Sequence, residues 1–339
     1  MANIIFSEAS GVNDSIFGKS QAPIRMFIEK RGEQFEQQSV VKELFAREKS
    51  RHFGEKFTSL TAMDGVRVTG ENGAYPTDGQ EEGYSKILEA VEWKDSFSIS
   101  RKMIEDSKLM DLRQKPAAFV TAYYRTREKL GAALLGGAIT NAVAASVNEI
   151  GYADGKFSLK TSDGKLLFAA DHPAKVKGAD QCNLWADDFS EDALGKLEVK
   201  MQNTCGDNGE ILDVAPDTII IPNIHSLKKA VFAAIGADKE PTTANNGFNY
   251  QFGRWNVIVW NYLNDFIASG TAPWILFDSS YNEDYDTLIW QERVTLDIQS
   301  FVDMNTRANV WDGYARFGAG FHDWRGIAVG GVSGATDLS

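Results

Sequence analysis

Between residues 56 and 100 the chain spells out an element that cannot stand alone. Val91, Trp93, Phe97 and Ile99 alternate with Glu92, Lys94, Ser96 and Ser98, and Asp95 is the one misfit on the apolar face. A period of two with one greasy face predicts a strand. Upstream, Leu60, Ala62, Val66 and Val68 share one parity, opposed by Arg67 and Thr69. Residues 70–86 lie between these runs and hold Gly70, Gly73, Gly79, Gly83 and Pro76. The pattern predicts one long two-stranded hairpin with a mobile tip. Ordering its backbone costs roughly 1–2 kcal/mol per residue. Full burial returns only ~1.5–3 kcal/mol per large apolar side chain, and an isolated ribbon in water cannot achieve it. The hairpin therefore needs a covering surface, in its own chain or in a neighbour.

The remaining sequence is that of an ordinary folded protein. Its 339 residues suit two domains or one large domain. With 35 basic and 47 acidic side chains it carries a net charge of −12. Such a chain is poorly suited to gripping phosphate backbones or anionic lipid. Cys182 and Cys205 form neither a metal-type pair nor a disulfide framework. The N-terminus shows no secretory signal. The most lipid-like stretch, Ala132 to Val147, is interrupted by Thr140 and Asn141 and falls short of the ~20 apolar residues of a membrane span. The expectation is a soluble protein, intracellular at synthesis, with no membrane partner.

Around the hairpin, residues 1–55 read as an arm. It has a short apolar patch (Ile24, Met26, Phe27, Ile28) and a helix over about 33–49 with a narrow stripe of Phe35, Val40, Val41, Leu44 and Phe45. Residues 116–149 predict a spine helix, opened by Pro116, whose Gly131, Gly136 and Gly137 imply close approach of another backbone. After turn-rich residues 150–186, with a short strand at Leu166–Ala169, an α/β stretch follows. Ser190 caps a helix, Ile219–Ile221 form a strand, a second helix runs to a left-handed cap at Gly236, and Trp255–Trp260 form another strand. The tail predicts strands at Trp274–Phe277, Thr287–Trp290, Thr295–Ile298 and Tyr314–Phe317. The fold class is α+β.

Catalytic chemistry is hard to find. His52, His172, His225 and His322 lack the spacing of a zinc helix. No phosphate loop or nucleophile elbow is present. Asp207-Asn208-Gly209-Glu210 lacks the oxygen spacing of a calcium loop. No cofactor and no metal are expected.

The order of arm, hairpin, spine helix, α/β insertion and Trp-rich sheet resembles the major capsid proteins of tailed bacteriophages, with the Hong Kong 97-type fold. Local text adds to this: LLFAADHPAKVKGADQCNL at 166–184 and APDTIIIP at 215–222 resemble phage Mu-like major head subunits. WILFDSS at 274–280, QERVTLDIQS at 291–300 and DGYARFGAGFHDWRGIAVG at 312–330 resemble that family's closing strands. The resemblance implies an N-terminal arm (1–55), an extended hairpin loop (56–100), a peripheral domain (101–177 and 271–339) and an axial α/β domain (178–270). It implies self-assembly as hexamers and pentamers into an icosahedral shell. That shell, built in the host bacterial cytoplasm, encloses double-stranded DNA without reading its sequence. Portal, scaffold, protease and decoration proteins are the further partners it implies, with any scaffold a separate protein and no Lys–Asn cross-links.

Charge suggests how copies would meet. Residues 62–95 hold eight acids and three bases, a net −5. An acidic loop lying across a basic strip near Arg125 and Arg127 of a neighbour would set register while apolar contacts supply affinity. The expected inter-subunit contacts are Glu71, Tyr75, Glu81, Glu82, Tyr84 and Trp93 on the loop, with Phe27, Phe45, Arg125 and Arg127 on arm and spine. Two other readings are a bacterial nanocompartment shell of the same fold and a metal-dependent hydrolase using Asp171, His172 and His322.

Overall fold

A computed structural model describes residues 5–6, 17–60, 66, 68–71, 73–75, 77, 82–106, 114–144, 147–236 and 249–338. The chain divides into two compact units. One comprises Met1–Glu55, Leu88–Gly131 and Trp290–Ala319; the other comprises Lys56–Ile87, Ala132–Ile289 and Gly320–Ser339.

In the first unit the arm forms helices α1 (Phe17–Gln37) and α2 (Val40–Leu44). The single helix expected over 33–49 is thus broken. Ser39 caps α2 by accepting from Lys42 N at 3.2 Å, and its own hydroxyl donates to Glu128 Oε1 at 2.5 Å. The chain then turns into strand β2 (Ala46–Lys49), after β1 (Ile5–Phe6). Strands β5 (Val91–Ile99), β11 (Leu288–Val302) and β12 (Asn309–Phe321) complete a five-stranded sheet in the order β1-β11-β12-β5, with β2 also on β11. Ile5 pairs in parallel with Asp297.

This overturns the expected strand pairing of the hairpin. β5 runs antiparallel to β12, from Ile99 opposite Asn309 to Val91 opposite Phe317. The ribbon is formed instead by β3 (Gly54–Leu60) and β4 (Glu82–Glu89); most of the upstream run expected over 60–68 lies outside the described residues. The reason is side-chain cover. The apolar face of β5 meets aromatic rings of β12, with Trp93 stacked on Phe317 and Phe97 on Trp311. A ribbon strand could offer no such surface. The two tail strands expected at 287–290 and 295–298 are likewise one continuous strand.

Helices α3 (Arg101–Asp106) and α4 (Gln114–Asn141) follow β5. Of α4, the residues up to Gly131 belong to the first unit and those from Ala132 to the second. Of the three glycines expected to admit another backbone, Gly136 does so, while Gly137 meets only the side chains of Ile150 and Leu159. A Cβ on Gly136 would sit 2.6 Å from Phe266 Cβ and 2.9 Å from Phe266 O.

The second unit is centred on a four-stranded sheet ordered β13-β10-β8-β9. Its strands are β8 (Thr218–Pro222), β9 (Asn256–Trp260), β10 (Trp274–Phe277) and β13 (Ile327–Gly330). β8 is buried throughout, as a strand covered on both faces requires. Ile219, Ile221 and Trp274 share one core with Leu194 and Leu197 of α5 (Glu191–Gln202) and Val231 of α6 (His225–Ile235). Ser190 caps α5 as expected, accepting from Ala193 N at 3.1 Å. Gly236 ends α6 at φ −88°, not in the expected left-handed conformation. Its amide still closes the last turn on Phe232 O. A small hairpin of β6 (Glu149–Tyr152) and β7 (Gly155–Ser158) precedes the 166–184 segment. Leu166 there makes only an isolated bridge to Lys160, where a strand had been expected. No described helix is long and apolar enough to cross a membrane.

Candidate assembly surfaces

The β3–β4 ribbon pairs with no third strand among the described residues. Towards its tip Val66 and Val68 are fully exposed and Tyr75 is 96 % exposed. Glu71 is exposed beside them, and Glu81 lies outside the described residues. Apolar side chains held this far out contribute nothing to the fold of their own chain.

The root of the ribbon is fastened within the second unit. Lys86 Nζ donates to Lys160 O, and burial pushes this ammonium down to about 8, partly opposed by Asp163. Phe57 lies 6.2 Å from the His322 ring, whose imidazole is held below its ordinary value chiefly by burial. Higher up the strand, Glu82 and Gly83 offer their carbonyls to Lys175 Nζ, each at 2.5 Å. The same ammonium lies 5.4 Å from the Tyr84 ring centroid. Burial, with the charge of Asp207, pushes the Tyr84 phenol up. The structure therefore brings Glu82 and Tyr84 together around a lysine of their own chain.

The contacts expected of arm and spine separate into two groups. Arg125 is exposed on α4 and Phe27 is half-buried on α1. Arg127, expected on a basic strip, is instead inside the first unit: it pairs with Glu292 at 3.4 Å and lies 5.1–5.7 Å from the rings of Tyr123, Trp290 and Phe317. Phe45 is buried edge-on against Trp290, with centroids 6.0 Å apart. Trp93 stacks on Phe317 at 4.8 Å and donates from Nε1 to Phe317 O at 3.1 Å. Phe45 and Arg127 are thus buried in their own unit, and Trp93 is half-buried against Phe317. An Arg among polar helix residues reads as surface; only the tertiary partner Glu292, 165 positions away, reveals otherwise.

The histidines form no metal cluster among the described residues. His172 is fully buried, with Nδ1 2.6 Å from Asp163 Oδ2 and Nε2 3.2 Å from Asn183 Oδ1. Burial opposes ionisation of Asp163, but its contacts with His172, Thr161 and the Lys165 amide together outweigh this and hold the carboxyl below its ordinary value. Asp171 pairs with Lys165 instead. The expected hydrolase trio is not assembled: His172 and Asp171 have structural partners, and His322 faces Phe57.

The profile of the phage capsid protein family matches residues 83–330, most of the chain. No curated protein sequence matches it. Among solved structures, the capsid of Ralstonia phage GP4 superposes with a TM-score of 0.56 at 13 % identity, covering 86 % of this chain and 90 % of that one. The Mycobacterium phage Patience structure matches at 0.49 and 10 % identity, over 100 % of this chain and 96 % of that one. That of Microbacterium phage Oxtober96 matches at 0.48 and 11 %, over 86 % and 90 %. The fold is thus the α+β Hong Kong 97 type, and the chain belongs to the phage capsid protein family, with the structural role of a major capsid subunit.

Proposed function

We propose that this subunit assembles with copies of itself, as hexamers and pentamers, into an icosahedral shell around double-stranded DNA. Its role is structural and not catalytic. The observation that carries the reading is the exposure of Val66, Val68 and Tyr75, which have no cover among the described residues. Exposed apolar groups of this kind mark a surface awaiting a partner. Glu71 and Glu82 would meet exposed bases of a neighbour, with Arg125 among them. Residues 1–55 serve as the arm, 101–177 with 271–339 as the peripheral domain, and 178–270 as the axial domain. The segments at 166–184 and 215–222 support kinship with Mu-like head subunits. Portal, scaffold, protease and decoration proteins complete the proposed partners, and assembly takes place in the host cytoplasm.

The test is negative-stain imaging of the protein expressed alone and with a scaffold. Closed, symmetric shells of uniform diameter are expected. A monodisperse small oligomer under all conditions overturns the reading.

A further inference from the structure

The 166–184 segment stands out in the sequence, and the shell reading leaves its geometry unused. His172 and Gln181 exchange both backbone hydrogen bonds at 2.9 Å, closing a loop between them. The base of this loop is immobilised. The His172 ring stacks on Trp324 at 4.3 Å and bridges Asp163 and Asn183. Asn183 in turn donates to Leu167 O at 2.8 Å and Ile327 O at 3.1 Å, and accepts from Ala169 N at 3.0 Å. The far end is fixed as well. Val176 N and Lys177 N donate to Asp207 O, and Lys175 N donates to Asp207 Oδ1. That carboxylate is held by Arg325 Nη2 at 2.8 Å. The loop is a stiff prong, and at its end Lys175 reaches across to the carbonyls of Glu82 and Gly83.

Two lysines hold the ribbon, by unlike contacts. Lys86, nearer the root, lies mostly buried on Lys160 O. Lys175, nearer the tip, is an exposed ammonium on two carbonyls. An exposed ammonium exchanges such carbonyls for water at little cost, so the second hold is the releasable one.

The geometry points to a catch built into the subunit: the 172–181 loop holds the ribbon against its own chain through Lys175, and the ribbon leaves that hold when it docks on a neighbouring copy. The catch holds the start of β4 to its own subunit until a better surface arrives, while Lys86 remains as the pivot. The docking half of this inference rests on the shell reading above; the catch itself does not.

Two measurements test it. In hydrogen–deuterium exchange of unassembled protein, Lys175→Ala is expected to speed exchange of peptides spanning 82–88 about tenfold, equivalent to ~1.4 kcal/mol. Lys175→Arg, which keeps the donors, restores wild-type rates. Peptides over 191–202 stay unchanged in both, which reports an intact fold. Unaltered exchange at 82–88 in Lys175→Ala overturns the catch. In light-scattering assembly of purified protomers, Lys175→Ala is expected to form shells faster than wild type; equal or slower formation overturns the release step. Failure of wild-type protomers to form shells under any condition sinks the shell reading instead, and the exchange result still decides the catch.

Discussion

Arg127 and Glu292 form an ion pair at 3.4 Å with side chains only 4 % and 5 % exposed, one on helix α4 and the other on strand β11. Three aromatic rings surround the guanidinium, so its charge is stabilised by both a carboxylate and π faces. Removing one partner strands the other charge away from water. Arg127→Met is expected to cost about 3–5 kcal/mol of protomer stability. The double variant Arg127→Met/Glu292→Met should recover most of that loss. Urea denaturation of the three proteins checks it; additive losses in the double variant would contradict the pairing.

Gly136 inverts a familiar substitution. In an exposed helix Gly→Ala gains ~1 kcal/mol. Here the added methyl would press on Phe266 Cβ and its carbonyl oxygen, both under 3 Å away. Gly136→Ala is therefore expected to destabilise by about 1–3 kcal/mol. A rise in melting temperature would show that the contact relaxes freely.

Lys86 gives the fold a pH dependence. Burial pushes its ammonium down to about 8 in the folded chain, from the ordinary 10.5 of an exposed lysine. Between these values the unfolded chain binds the extra proton, so stability rises as pH increases from about 8 to 10.5. Below this window the full burial penalty persists. The stability of Lys86→Met relative to wild type should therefore fall by roughly 2–3 kcal/mol between pH 7 and pH 10.5. A difference that does not change with pH, measured by denaturation at both ends, would place the ammonium in water.

The ribbon tip should separate folding from assembly. Val66→Asp with Val68→Asp removes no buried contact, since both side chains are fully exposed in the protomer. Protomer stability should stay within ~0.5 kcal/mol of wild type. Shell yield in micrographs should collapse. Reversing Glu81 and Glu82 to Lys should likewise spare folding and impair assembly. Wild-type yields of normal shells from both variants would contradict docking through the tip.

Local signals gave most of the elements. Ser190 before two acids marked the start of α5, and the run Ile219–Ile221 marked a covered strand. What periodicity could not give was partnership. Val91–Ile99 reads equally well as half of a ribbon or as the edge of a sheet. The choice was made by Phe317 and Trp311, more than two hundred residues downstream. The same limit applies at the surfaces. Trp93, Phe45 and Arg127 look available in sequence because their covering groups are remote in the chain. Lys175 carries no local signal, since its carbonyl partners lie 92 and 93 residues away.

The rings of Trp93, Phe317 and Trp290 come from β5, β12 and β11, three adjacent strands. Their centroids are 4.8 and 5.1 Å apart and their planes lie within 4° and 20° of parallel. That spacing matches the ~4.8 Å repeat of hydrogen-bonded strands. The rings thus climb the sheet like rungs at its own pitch. Sliding one strand past the next would unstack them as well as break backbone bonds. In the wall of a vessel under outward load, shear should yield first where strands lack such rungs.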